Sequence, residues 1–202
     1  MVKAILYDLD GVLVDACERH YKALNDALLD VCGFEIARAE HEDVFNGLTT
    51  KTKLSVLVLE GRIEENQIDK ISALKQHYTQ LLLSQLKIDP VKIELHTKTK
   101  ELGIISVCCT NSIRSSAATM LGKTGQLPFL DFFLSNEDVG SPKPCGEVYV
   151  RAMIRLGLYP DQVLIVEDSP TGLLSARSTG AKVLQVANAT EVCWDLLKEH
   201  LE

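Results

Sequence analysis

Four short clusters in this chain hold side chains able to work on an anionic substrate. In Asp8-Leu9-Asp10-Gly11-Val12 two acids stand two residues apart, and Gly11 lets the backbone turn sharply behind them. Thr110-Asn111-Ser112 offers hydroxyls, an amide and the N–H groups of a helix start, all suited to an anion. Ser141-Pro142-Lys143-Pro144 mounts one lysine between two prolines, a stiff setting for a cation that must point inward at a phosphate. Val166-Glu167-Asp168-Ser169-Pro170 places adjacent carboxylates ahead of a serine N-cap and a proline at the first helical position. Taken singly, each has a plainer explanation: an Asp-capped turn, a Ser or Asn helix cap, a solvated loop lysine and an acidic helix cap. Taken together they supply carboxylates, hydroxyl, amide and lysine, and adjacent carboxylates at a ligand edge need a partner cation.

These clusters act together only if the fold gathers them. Lys3 to Tyr7 is short, apolar and runs straight into Asp8, as a buried strand would. From Asp15 to about Leu86 the spacing is helical. Tyr21, Leu24, Leu28 and Val31 share one face up to Gly33, a second apolar helix covers Leu54 to Leu59, and Ile68, Ile71, Leu74, Tyr78, Leu81 and Leu82 mark a third. No strand is expected there. After Pro90 helices and strands alternate: a helix to Glu101, a strand Ile104 to Cys109, a helix from Ser112 and a short strand Phe132 to Leu134. A helix from Glu147, a strand Val163 to Val166, a helix from Pro170 and a strand Lys182 to Val186 follow. This predicts an α/β fold with a doubly wound parallel, Rossmann-like sheet, its core formed by residues 1–14 and 87–202. Residues 15–86 form an all-helical insert after the first strand. Ligands of such sheets bind beyond the carboxyl ends of the strands, and all four clusters lie at or after strand ends.

With 202 residues and 46% hydrophobic content, the chain is long enough for one full core with a small second domain. A net charge of −7 without a basic stripe argues against nucleic acid. No apolar run approaches membrane-spanning length and the first residues do not read as a signal peptide, so a cytoplasmic protein with no membrane contact is expected, a monomer or weak homodimer. The six cysteines show no CxxC spacing and are expected to be reduced, structural thiols.

DLDGVLVD, TNS, SPKPCGEVY and VEDSPTGLLSA, in this order, resemble the four motifs of the haloacid dehalogenase superfamily. The likeness is to the branch containing beta-phosphoglucomutase, phosphoglycolate phosphatase and sugar-phosphate phosphatases. It implies Asp8 as nucleophile, Asp10 as general acid and base, and Thr110 and Lys143 as phosphate ligands, with Asn111 and Ser112 beside them. It also implies a Mg²⁺ held by Asp8, Glu167, Asp168 and the main-chain carbonyl of Asp10, under a helical cap inserted after the first motif. The roles suit the residues. A carboxylate is nucleophilic at neutral pH without activation, and one acid must protonate the leaving oxygen and then deprotonate water. Several carboxylates around a phosphate need a hard divalent cation among them.

The cap is expected to select the substrate, a small phosphorylated metabolite such as a sugar phosphate. His20 on the first cap helix and Thr49 and Thr50 in a loop between cap helices match positions that face the site in the resembled branch. His20 reads either as a structural histidine at the edge of an apolar face or as a group that positions Asp10. The branch's mutases carry at Thr50 an arginine for a second phosphate, so its absence favours a phosphatase over a phosphomutase, although Lys51, Lys53 and Lys75 could substitute. A non-catalytic binding protein would be expected to lose at least one of Asp8, Asp10, Lys143 and Asp168. A dehalogenase would not need Asp10 or the metal.

Overall fold

Ala4, Ile5, Leu6 and Tyr7 are all fully buried, because the strand they form is covered on both faces. Ile5 and Tyr7 pack to one side with Leu95, Met120 and Leu121; Ala4 and Leu6 pack to the other with Tyr149, Ala152 and Met153. The computed structural model describes residues 1–201. Its strands are β1 (Ala4–Tyr7), β2 (Ile105–Cys109), β3 (Phe132–Leu134), β4 (Val163–Glu167) and β5 (Lys182–Gln185). They make one parallel sheet in the order β3-β2-β1-β4-β5. The chain winds outward from β1 through β2 to β3, then returns to lay β4 on the opposite side of β1. The strand order therefore reverses at β1, which is where doubly wound sheets open a crevice.

The helices are α1 (Cys17–Cys32), α2 (Thr50–Leu59), α3 (Ile68–Leu83), α4 (Pro90–Glu101), α5 (Arg114–Lys123), α6 (Glu147–Leu156), α7 (Pro170–Arg177) and α8 (Trp194–Lys198). The first three carry their own apolar centre, with Leu24, Leu28, Phe45, Leu54, Leu57 and Ile71 buried together. Leu83 and Leu86, at the end of that segment, pack with the sheet-side cluster instead. As the sequence indicated, α7 starts on the Ser169 cap, whose Oγ accepts from Gly172 N at 3.1 Å, with Pro170 next.

Three local expectations change. The helix anticipated at Leu54 begins at Thr50, because Thr49 is an extended N-cap whose hydroxyl accepts from Thr52 N, so its first turn is polar. Thr50 thus lies in the helix and not in a loop. The helix anticipated at Ser112 begins at Arg114, with Ile113 in the cap position and Ser112 turned elsewhere. A π-type turn, His41–Phe45, follows a short helical turn, Arg38–Glu40, where no element was foreseen.

All six cysteines are free; Cys108 and Cys109 are buried, but Cys145 is exposed and so does not serve packing. Among the described residues no helix is long and apolar enough to cross a membrane.

Candidate active site

Tyr7 is in register with Cys108 of β2 and Val166 of β4, so the residues that follow each strand emerge at one level. Asp8, Thr110, Glu167 and Asp168 are brought together in this way. The Asp8 N–H still donates to Val166 O at 3.0 Å, which ties the first of them to the sheet. Beyond it the chain winds tightly, with Leu13 and Val14 N–H both donating to Leu9 O. Gly11 has a φ of 90° and lies where a Cβ would overlap the Asp168 carboxylate. Only glycine allows both the turn and the approach.

Lys143, on the loop that follows β3, reaches back into the sheet edge. Its Nζ donates to Asp8 Oδ1 at 2.6 Å and to Glu167 Oε1 at 2.5 Å. Both Lys143 and Glu167 are buried. Burial disfavours the Lys143 charge, but Asp8 and Glu167 outweigh it and push the ammonium above its ordinary range. Glu167 is fully occupied: Tyr149 Oη also donates to Oε1 at 2.6 Å, and Asp168 N donates to Oε2 at 3.1 Å. Tyr149 closes the SPKPCGEVY motif, but the sequence reading gave it no role.

Asp8 and Asp168 are left with excess negative surroundings. Burial raises Asp8 well above the ordinary carboxyl range, with Lys143 opposing and Glu167, Asp168 and Asp10 adding to the rise. Burial and Glu167 carry Asp168 to about 7. One carboxylate oxygen from each of Asp8, Glu167 and Asp168 falls within 4.8 Å of the others, and Asp168 Oδ1 is buried without a hydrogen-bond partner. An orphaned carboxylate oxygen in an all-oxygen donor set fits a hard divalent cation such as Mg²⁺. Asp8 and Asp168 have the freer oxygens for it, whereas Glu167 is committed to Lys143 and Tyr149.

Asp10 lies on the cap side of this group. Ser112 Oγ donates to its Oδ2 at 2.8 Å, and His20 Nε2 lies 2.8 Å from Oδ1, close but not aligned as a hydrogen bond. Burial would raise Asp10, yet His20 and the Ser112 hydroxyl hold it below the ordinary carboxyl range. Lys75 Nζ stands 3.4 Å from His20 Nδ1. Burial and Lys75 keep the His20 value low against the pull of Asp10.

Asp8, Asp10, His20, Thr49, Thr50, Thr110, Asn111, Ser112 and Lys143 line a cavity of about 320 Å³ between the sheet edge and the helical segment; Glu167 and Asp168 are not on its wall. The Asn111 amide is spent on main chain: Nδ2 donates to Gly47 O at 2.9 Å and to Lys143 O at 3.1 Å, and Oδ1 accepts from Lys143 N at 3.0 Å. It ties the lysine loop and the cap to the strand end. Thr171 Oγ1 donates to Asn46 O at 3.3 Å, a second tie between core and cap. Thr110 is buried, and its Oγ1 accepts from Ser112 N at 2.9 Å.

Three cap lysines, Lys51, Lys53 and Lys75, also line the cavity. The uncharged Thr50 therefore does not leave the cap without cations. Lys53 lies one turn beyond Thr50 on α2, and Ser72, Lys75 and Gln76 form a polar i, i+3, i+4 stripe on α3, a signal legible in the sequence.

The profile described as haloacid dehalogenase-like hydrolase matches residues 5–186. Among curated relatives, protein CbbY of Rhodobacter capsulatus is 27% identical over 204 residues, covering 91% of this chain and 84% of its own. A phosphorylated carbohydrates phosphatase of Thermotoga maritima is 22% identical over 179 residues, covering 89% of this chain and 82% of its own. Among solved structures, a beta-phosphoglucomutase from Clostridium difficile aligns with a TM-score of 0.85 at 20% identity, over 100% of this chain and 97% of that one. That likeness concerns the fold.

Proposed function

The chain belongs to the haloacid dehalogenase-like hydrolase family, and from that premise we propose that it is a Mg²⁺-dependent phosphatase of a small phosphorylated metabolite. Residues 15–86 act as a cap over a core of residues 1–14 and 87–202. The observation that carries this reading is the meeting of Asp8, Asp10, Thr110 and Lys143 on one cavity, with Asp168, whose Oδ1 is orphaned, grouped with Asp8 and Glu167.

The Asp8 carboxylate attacks phosphorus in line, forming a carboxyl–phosphorus bond as the bond to the leaving oxygen breaks. Lys143, fixed between Asp8 and Glu167, offsets charge on the phosphoryl oxygens, and Thr110 helps bind them. Asp8, Asp168 and the Asp10 main-chain carbonyl would hold a Mg²⁺, which would keep the carboxylates ionised and draw charge from the phosphate. The Asp10 carboxyl gives its proton to the leaving oxygen, then accepts one from the water that attacks the aspartyl phosphate. Inorganic phosphate leaves and Asp8 is restored. His20 and Ser112 favour the Asp10 carboxylate, and an arriving phosphate anion raises its affinity for the proton it must donate. Ser112 and His20 keep it oriented throughout.

The relatives named as phosphatases support hydrolysis as the outcome. Lys53 and Lys75 favour a second reading, a phosphomutase, because a cap that holds cations can retain a doubly phosphorylated intermediate. Following ³¹P signals with Mg²⁺, sugar 1-phosphates and a bisphosphate primer separates them. Release of inorganic phosphate is expected; conversion of the 1-phosphate to the 6-phosphate faster than release would replace the proposal with the mutase.

A further inference from the structure

The steps above use Asp8, Asp10, Thr110, Lys143 and the His20 contact, and they give no task to the three cap lysines on the cavity wall, Lys51, Lys53 and Lys75. Lys143 is consumed by two carboxylates. Lys75 stands against His20, which itself touches Asp10, and so belongs to the surroundings of the proton-transfer group. Lys51 is exposed. Lys53 differs from all of these. It is half-buried and lines the cavity. Its Nζ makes one side-chain contact, to His41 Nε2 at 3.3 Å. Among the described residues no carboxylate oxygen lies within ion-pairing distance of it.

His41 is built to hold that lysine. It stands at the start of the π-type turn His41–Phe45, a helical distortion frequent at functional sites. Its ring is buried edge-on to Tyr21, with centroids 4.9 Å apart. Burial and the neighbouring Lys53 pull its pKa to about 4, so the ring stays neutral and Nε2 accepts from the ammonium. The remaining two N–H donors of Lys53 have no side-chain acceptor. Burial and the nearby Lys75 lower the Lys53 pKa to about 8, and the more distant Asp10 only partly offsets them. A half-buried, unpaired ammonium facing a ligand cavity is costly to maintain unless an anion completes it.

We infer that Lys53, positioned by His41, binds an anionic group on the leaving portion of the substrate. The enzyme therefore prefers phosphate monoesters bearing a carboxylate or a second phosphate to matched esters with a neutral group there. This rests on the reading that the reacting phosphate sits at Asp8.

The test compares kcat/KM within two matched pairs: 3-phosphoglycerate against glycerol 3-phosphate, and fructose 1,6-bisphosphate against fructose 1-phosphate. The wild type favours the anionic member of at least one pair, and the responding pair identifies the group as carboxylate or phosphate. Lys53→Gln reduces that preference roughly 10- to 100-fold, the loss expected for a hydrogen bond to a charged group. Lys53→Arg retains a preference, and His41→Phe lowers it in the same direction as Lys53→Gln. No wild-type preference in either pair, or equal losses on both members in Lys53→Gln, overturns the inference. Calorimetry on Asp8→Asn with Mg²⁺ reads binding of the same four compounds without turnover. Extra affinity for the anionic members that Lys53→Gln removes supports the inference even if the wild type releases no phosphate, in which case only the phosphatase reading fails. Phosphate release with Lys53-independent ratios sinks this inference alone.

Discussion

Gly11 packs its backbone directly against the carboxylate of Asp168, at a φ of 90° that leaves no room for a side chain. The turn after β1 and the end of β4 are thereby pressed together. Gly11→Ala forces a strained backbone, costing about 1–3 kcal/mol, and also displaces Asp168. We expect a lowered Tm together with a loss of activity and Mg²⁺ affinity larger than unfolding explains. Wild-type Mg²⁺ affinity by calorimetry would show that the contact does not shape the site.

Asp8→Asn keeps the shape of the side chain and removes the nucleophile, so turnover should vanish while the melting curve stays near that of the wild type. Lys143 keeps Glu167 as a partner in that variant. Steady-state rates above background would remove Asp8 from its assigned role.

Asp10→Asn should lower kcat by roughly 10²- to 10⁴-fold, the usual contribution of a general acid and base. Mg²⁺ affinity should persist, because the proposed ligand is the main-chain oxygen. A parallel collapse of metal binding would reassign Asp10 from proton transfer to coordination by its side chain.

Mg²⁺ should raise the Tm of the purified protein, since it binds the folded carboxylate cluster and not the unfolded chain. Asp168→Asn should abolish most of that rise. Activity undiminished in excess chelator, or a Tm indifferent to Mg²⁺ in the wild type, would contradict the metal assignment.

Away from the site, His96 is buried on α4, with Nε2 3.1 Å from Gln126 Oε1, and Gln126 Nε2 donates to Leu13 O at 3.0 Å. Burial takes the His96 pKa from 6.5 to about 4. The unfolded chain therefore takes up this proton first as pH falls. The stabilisation is complete above about pH 6.5 and is lost as pH drops through about 4. The span corresponds to on the order of 3 kcal/mol. Denaturant melts from pH 7 to 4 should show this decline, and His96→Gln should flatten it. An unchanged slope in that variant would place the acid sensitivity elsewhere.

The sequence by itself determined the α/β alternation, the helical nature of residues 15–86 and the polar residues at the strand ends, because these depend on local periodicity and on turn and cap chemistry. Strand β1 is short and apolar on both faces, so its central burial was legible, and Ser169-Pro170 announced a helix start at the next polar edge. Tertiary structure alone decided how each charge is spent. Whether Lys143 faces solvent or two carboxylates depends on a loop after β3 folding back across the sheet, and no local signal records that. The Asn111 amide, which could have met a phosphate, is consumed by Gly47 and Lys143 main chain from two distant segments. In the same way the sequence offered Lys51, Lys53 and Lys75 as cations near Thr50, and helix phase and packing turn Lys53 and Lys75 into the cavity from two helices. Charge at a site is a property of the surfaces that meet there, and those surfaces are joined only when the chain folds.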